Sequence, residues 1–278
     1  MSNTPIVSIP ARKLTKIEAR ELCTTIQTLN LSAPPNKVQF SPELDALRCE
    51  ILEHIERQGV CILENLLDVS NESTFALMAL VGRPGADADE EDTGPLIMDL
   101  KPMPREDAEQ ISSYYTWNEF DFHTDLAYTD TPPDYITVTC VQPDPEGQGL
   151  SLFSDIVDCV RTMPSEITAS LQKPLFNIAT PPRCISQQVH RPLLTKDSQG
   201  RWRLRVRFDK VSSDCEEGTV ALNELHNALE RHRTATLLPK NSAYVCDNHR
   251  VVHGRTPFKF HNDGTDRHLK RIYGMRRE

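Results

Sequence analysis

Two short stretches decide how this chain is read: Phe122-His123-Thr124-Asp125, and Cys246-Asp247-Asn248-His249-Arg250-Val251-Val252-His253-Gly254-Arg255. On an extended segment, residues two apart project to the same side, so His123 and Asp125 can offer an imidazole nitrogen and a carboxylate oxygen to one point. Taken alone, a His-x-Asp pair is more often a surface histidine beside an aspartate, and a metal needs a third donor. His253 is the candidate. It follows a strand and two apolar residues, and its glycine neighbour suits a side chain directed into a barrel mouth. His249 is the competitor, but Asn248 and Arg250 flank it with turn character, which assigns it to the surface. Two histidines and one carboxylate leave three open positions on an octahedral ion, a set that favours Fe(II) over tetrahedral zinc while leaving zinc and manganese open.

A third stretch, Asp266-Arg267-His268-Leu269-Lys270-Arg271, adds cationic donors. Strand positions four apart share a face, so Arg267 and Arg271 can enter one cavity, each able to fork onto a carboxylate. Without the upstream histidine, a basic edge facing solvent would be the simpler reading.

Working outward, the first sixty residues read as helical, over Leu14 to Leu29 and Pro42 to Arg57, joined by Ser32 to Lys37. Ser41 and Pro42 form a cap and first-turn pair, and Gly59 ends the second helix. Val60 to Leu63 reads as a strand and Ser73 to Leu80 as a helix. Arg83 to Gly94 is rich in Gly, Pro and acidic residues and reads as a mobile loop. Strands are expected at Leu96 to Leu100, Tyr135 to Val141, Leu150 to Phe153, Arg183 to Val189, Trp202 to Phe208, Ala243 to Cys246 and Leu269 to Gly274. Helices interrupt them at Ile156 to Leu171, broken near Pro164, and at Thr219 to Thr234, with Leu222, Leu225 and Leu229 on one face. Mixed helix and strand around an antiparallel sandwich or barrel is the architecture these runs imply. The expected organisation is one domain over residues 1–278: a helical addition over 1–58, then a core over 59–278 with its mobile loop near 83–94.

Composition limits the function. The 278 residues are 38% hydrophobic, enough to bury a sizeable core, and 31 Lys and Arg against 40 Asp and Glu give a formal charge of −9. An acidic chain without a basic run is a poor fit for a nucleic-acid partner. No membrane partner is expected either, because no window approaches a membrane span and Met1 to Ala11 lacks the apolar run of a signal peptide. Eight cysteines are scattered singly with no Cys-x-x-Cys pair, which reads as reduced structural thiols in a cytoplasmic protein.

With these residues in view, the chain resembles the Fe(II)/2-oxoglutarate-dependent dioxygenases of the taurine dioxygenase superfamily, most nearly the clavaminate synthase-like branch. The resemblance rests on Phe122 to Tyr128 with Pro133-Asp134-Tyr135, and on Asp247 to Arg271, especially His253-Gly254-Arg255-Thr256-Pro257-Phe258. It implies an α+β fold with a double-stranded β-helix (jelly-roll) core and flanking helices. It implies iron held by His123, Asp125 and His253, although many members of the branch carry Glu where Asp125 stands. Arg267, fourteen residues after the distal histidine, is implied to bind the far carboxylate of 2-oxoglutarate, helped by Ser151 where relatives carry Thr. Arg271 is implied to bind the carboxylate of an amino-acid-like substrate, with Ser113 and Tyr128 as further substrate contacts. The implied reaction consumes 2-oxoglutarate and O2, releases succinate and CO2, and hydroxylates an unactivated C–H bond; desaturation or cyclisation are variants. The expected substrate is an amino acid or an amino-acid-derived small molecule, a cyclic dipeptide included. A small sulfonate or carboxylate, or a jelly-roll binding protein without turnover, are the alternatives. The acidic loop from Asp87 to Asp92, near Ser112 to Trp117, is a candidate lid whose charge would suit a cationic or amine-bearing substrate.

Overall fold

In the computed structural model, residues 9–28, 40–87, 94–104, 113–180 and 190–277 are described. The chain begins with β1 (Ala11–Lys13), α1 (Lys16–Thr28), α2 (Pro42–Gln58), β2 (Val60–Glu64) and α3 (Asn71–Val81). Then come β3 (Arg83–Pro84), β4 (Ile97–Leu100), a 3-10 turn at Ser113–Tyr115, β5 (Phe120–His123), β6 (Tyr135–Gln142) and β7 (Ser151–Asp155). α4 (Ile156–Thr162), α5 (Ser165–Leu171), β8 (Asn177–Ile178), β9 (Leu194–Lys196), β10 (Trp202–Leu204) and β11 (Val211–Ser212) lead to α6 (Glu216–Arg231). The chain closes with β12 (Thr234–Thr236), β13 (Ser242–Asp247), β14 (Val251–Arg255) and β15 (His268–Met275).

Local chemistry accounts for the helix ends. Ser41 caps α2 by accepting the N–H of Leu44, Pro42 opens its first turn, and Gly59 at φ +75° closes it by donating to the Ile55 carbonyl. α6 starts three residues before the expected Thr219 because the Cys215 Sγ accepts from the Gly218 N–H, an unusual cap. It ends at Arg231, and Thr234 opens a strand that pairs with β7. The expected break near Pro164 separates α4 from α5.

Two sheets carry the fold. The larger has seven strands in the order β1-β2-β13-β6-β15-β3, with β4 also on β15, and is antiparallel except for β1 on β2. The smaller runs β12-β7-β14-β5. Side chains alternate along the large sheet. Val60, Ile62, Val138, Tyr244, Leu269 and Tyr273 pack with Phe122, Leu152, Phe153 and Val252 of the small sheet. Cys61, Leu63, Ala243, Val245 and Ile272 face the opposite way onto α1, α2 and α3. The central strands are therefore buried on both sides, which explains their nearly unbroken apolar runs. α3 lies between this sheet and the first two helices and is buried from Ser73 to Val81. Gly274 allows its close approach, since a Cβ there would fall 2.0 Å from the Met78 Sδ.

Two expectations change, and two lie beyond what is described. Arg83–Pro84 is a short strand on Gly274 and Met275 rather than loop, because the end of β15 offers it backbone partners. Residues 88–93 of the expected mobile loop and lid lie outside the described residues, as does the strand expected at Arg183 to Val189. Of Trp202 to Phe208 only Trp202–Leu204 is a strand, and the remainder runs beside β5 through a single bridge from Arg207 to His123.

Candidate active site

β5 and β14 place the two histidines. His123 and His253 are directly opposed in antiparallel register, so both imidazoles rise on the same face with ring centres 4.2 Å apart. His253 thus lies within a strand, not after one; Gly254 makes this pairing possible, since a Cβ there would fall 2.8 Å from the Phe120 carbonyl oxygen. Asp125 sits in the turn after β5. His123 Nε2 lies 3.7 Å from its Oδ1 and His253 Nε2 lies 3.7 Å from its Oδ2. One donor atom from each of the three residues falls within 4.8 Å of the others, and all three residues are buried.

The protonation pattern suits a cation. His123 Nδ1 lies 2.9 Å from the Asp121 carbonyl, which can only accept, so Nδ1 carries the proton and Nε2 keeps a bare lone pair. That Nε2 is buried with no hydrogen-bond partner among the described residues. Burial, and then the neighbouring His253, push His123 down to about 3; burial lowers His253 as well. Burial alone would raise Asp125, but Arg271, both imidazoles and the Tyr114 hydroxyl together hold it well below the usual carboxylate range. The site therefore presents two neutral imidazoles and one carboxylate, the forms that ligate metal.

The arginines come from the large sheet on the other side, Arg271 from β15 and Arg267 from the residue just before it. Along β15, Leu269 and Tyr273 face the core shared with the small sheet while Ile272 faces the helices, and a register irregularity between His268 and Leu269 separates Arg267 from this alternation. Together with His123, His253 and Ser151, both arginines line one cavity. Arg267 is only 8% exposed, and its guanidinium has no hydrogen-bond partner among the described residues. Burial lowers its pKa. Gly149, at φ +64°, is needed beside it, because a Cβ there would fall 3.0 Å from Arg267 Cδ. Asp144 is the nearby carboxylate that offsets part of this burial, and no ion pair closes on the guanidinium among the described residues, so its N–H edge can accept an anion from the cavity. Arg271 is stacked between the rings of Tyr114 and Tyr273, at 4.5 and 4.4 Å, and reaches both Asp125 oxygens at 3.2 and 3.3 Å.

The remaining expected contacts divide. Ser151 lines the cavity on β7, opposite Arg255. Tyr128 is buried in the main core and is not on the wall of this cavity. Ser113 opens the 3-10 turn, but its side chain lies outside the described residues. His249 is not a surface residue: it is 9% exposed, with Nε2 3.2 Å from Asp134, because the turn that carries it folds under the end of β6.

Four residues around the site were not anticipated. Tyr114 donates to Asp125 Oδ1 at 2.6 Å. Asn248, fully buried, accepts the Asp125 N–H at 2.7 Å and donates to the Asp125 and Pro133 carbonyls at 3.0 and 2.9 Å. Arg255 lines the cavity and donates to the Thr116 and Asn118 carbonyls. Arg207, paired with Asp209, faces the same side as His123 across their shared bridge. The turn around Asn248 was legible, but the long-range bonds were not.

The His-Asp-His cluster and Arg267 thus open on one cavity, with donors that could hold a metal beside a cation that could hold an anion. The chain belongs to the taurine catabolism dioxygenase TauD, TfdA family, whose profile matches residues 25–273. It is 32% identical over 198 residues to the L-asparagine oxygenase of Streptomyces coelicolor, covering 69% of this chain and 58% of that one. It is 25% identical over 200 residues to clavaminate synthase 2 of Streptomyces clavuligerus, covering 65% and 57%. These matches thus span little more than half the length of either relative. Among solved structures, asparagine oxygenase in complex with Fe(II), 2S,3S-3-hydroxyasparagine and succinate superposes with a TM-score of 0.78 at 21% identity, covering 95% of this chain and 92% of that one.

Proposed function

We propose that the protein is a 2-oxoglutarate-dependent non-haem iron dioxygenase that hydroxylates an unactivated C–H bond of an amino acid or amino-acid-derived small molecule. The observation that carries the reading is the convergence of bare His123 Nε2, Asp125 and His253 on the cavity that also holds Arg267. His123, Asp125 and His253 would hold Fe(II). Bound iron would couple dioxygen reduction to oxidative decarboxylation of 2-oxoglutarate, giving succinate, CO2 and an oxidised substrate carbon.

The chain's own residues supply binding and orientation. Arg267, with the Ser151 hydroxyl on the same wall, would take the far carboxylate of 2-oxoglutarate and so direct its keto acid end toward the metal. Arg271 would take the substrate carboxylate at its Nη2 edge, where its contact is the weak Met98 Sδ at 3.3 Å. Leu100, Phe120, Val138 and Leu269 line the cavity with apolar surface that limits water around the reacting groups. A substrate carboxylate at the Arg271 Nη2 edge would favour a free amino acid over a cyclic dipeptide, whose backbone offers none. Relatives named for asparagine oxygenation and clavaminate synthesis support the same class. We read the two facing sheets as the layers of a jelly roll and the chain as one domain with a helical addition at its start. Among the described residues the cysteines are free thiols, which fits a cytoplasmic setting.

The test is anaerobic addition of Fe(II) and 2-oxoglutarate, followed by a succinate-release panel of free L-amino acids, small sulfonates and small carboxylates. A visible charge-transfer band together with amino-acid-dependent succinate release is expected. Release with the sulfonates alone would move the substrate class, and absence of the band would favour a binding protein without turnover.

A further inference from the structure

The Asp125 carboxylate has two chemically equal oxygens and a soft terminal torsion. Its backbone is fixed by Asn248, but that leaves rotation about Cβ–Cγ open. Arg271 does not choose between the oxygens, since it meets them at 3.3 and 3.2 Å. Tyr114 does choose: its hydroxyl meets Oδ1 alone at 2.6 Å, the length of a strong charge-assisted bond. With Oδ1 engaged, Oδ2 on the His253 side is the oxygen with lone pairs to spare. The aim of the hydroxyl is itself fixed by packing. The Tyr114 ring lies edge-on to Phe120 at 5.1 Å and over the Arg271 guanidinium at 4.5 Å.

We propose that Tyr114 is a positioning residue for the metal centre, its hydroxyl selecting which Asp125 oxygen is presented to the ion. The proposal rests on the reading of His123, Asp125 and His253 as metal ligands. In this chain the ligand is Asp, one methylene shorter than Glu, so its carboxylate has less reach to find the ion by flexing, and an external hydrogen bond has more to do. Tyr114 lines the same cavity, and the role proposed for it is exerted through its hydrogen bond to Asp125.

Anaerobic Co(II) titration, followed by visible ligand-field absorption, tests this on the 278-residue chain without turnover. Tyr114→Phe keeps the ring and its packing, so thermal unfolding of the metal-free protein should shift by no more than about 2 °C while the Co(II) Kd rises about 10–100-fold, the range for lost outer hydrogen bonds to metal ligands. The ligand-field spectrum should change shape, which a purely structural role would not cause. Tyr114→Leu, the second variant, should weaken Co(II) to a similar degree, marking the hydroxyl as the active part. Arg271→Gln should change Co(II) affinity less than Tyr114→Phe does. Two results overturn the inference and are distinguishable. If Asp125→Ala loses Co(II) binding but Tyr114→Phe stays within 3-fold of wild type with an unchanged spectrum, the role of Tyr114 falls alone. If Asp125→Ala binds Co(II) as tightly as wild type, the ligand reading falls and takes the inference with it.

Discussion

Asn248→Ala is the substitution whose cost follows most directly from the structure. The side chain is fully buried and makes three hydrogen bonds, all to backbone groups: the N–H and carbonyl of Asp125 and the carbonyl of Pro133. Alanine removes every partner at once and leaves a cavity too confined for three waters to restore the pattern. At about 1–2 kcal/mol for each buried group left unsatisfied, the loss is roughly 3–6 kcal/mol. Against a total stability of about 5–15 kcal/mol, that is a large fraction. For a chain of this size each kcal/mol moves the melting temperature by about 2–4 °C, so a drop of roughly 6–24 °C is expected. Urea unfolding of the metal-free protein measures the free energy and a thermal scan the shift. Asn248→Asp separates the contributions, because a carboxylate still accepts the Asp125 N–H but cannot donate to either carbonyl and should recover only part of the loss. A melting temperature for Asn248→Ala within 2 °C of wild type would refute the claim that this clip fixes the ligand-bearing turn.

Three further outcomes follow from particular groups. Arg267→Gln removes a buried charge from the proposed carboxylate site and should weaken 2-oxoglutarate by about 2–5 kcal/mol, or roughly 30-fold to several thousand-fold, in an anaerobic Fe(II) absorbance titration; a change below 3-fold would contradict the assignment. His226 is raised above its ordinary 6.5 chiefly by its hydrogen bond to Asp121, against the opposing effect of burial, with Asp121, Glu230 and Glu119 charges adding to the rise. The stability from this pair is therefore complete below pH 6.5 and lost as pH climbs through the raised folded value. The difference between wild type and His226→Gln should shrink over that interval, and a difference that grows instead would reverse the sign. Burial pushes the Cys61 thiol up to about 12 and Cys140 and Cys159 to about 11, while Cys49 and Cys215 are exposed. A thiol reagent at pH 8 should modify Cys49 and Cys215 in Cys49→Ser and Cys215→Ser difference maps, with Cys61, Cys140 and Cys159 reacting only in denaturant. Reaction of Cys61 in the native protein would show that the helical layer opens readily.

What was legible in the sequence is what has a short-range cause. Ser41, Pro42 and Gly59 mark the limits of α2 because capping is a matter of neighbouring backbone groups. The two-residue repeat of a strand named Arg267 and Arg271 as a pair, and both do line the cavity, although Arg267 precedes β15 and a register irregularity separates it from Arg271. The helix α6 began early because a cysteine took the cap, a role its residue type does not advertise. His249 was misplaced for the complementary reason: its neighbours carry turn chemistry, yet the turn is tucked against Asp134 and becomes interior. Local composition reports the backbone conformation of a turn, whereas its exposure depends on what packs over it. The same distinction divides the site. His123 and His253 fall into one cluster through a cross-strand register 130 positions apart in the chain, which motif spacing could suggest but only sheet pairing sets. Asn248 and Tyr114 carry no motif at all, and each acts on Asp125 through a hydrogen bond spanning 123 and 11 residues, respectively. The donors that could hold a metal are thus named by residue type, while the groups that aim those donors are chosen by geometry alone. Substitutions at the second kind of position should alter affinity and spectrum before they alter the identity of the reaction.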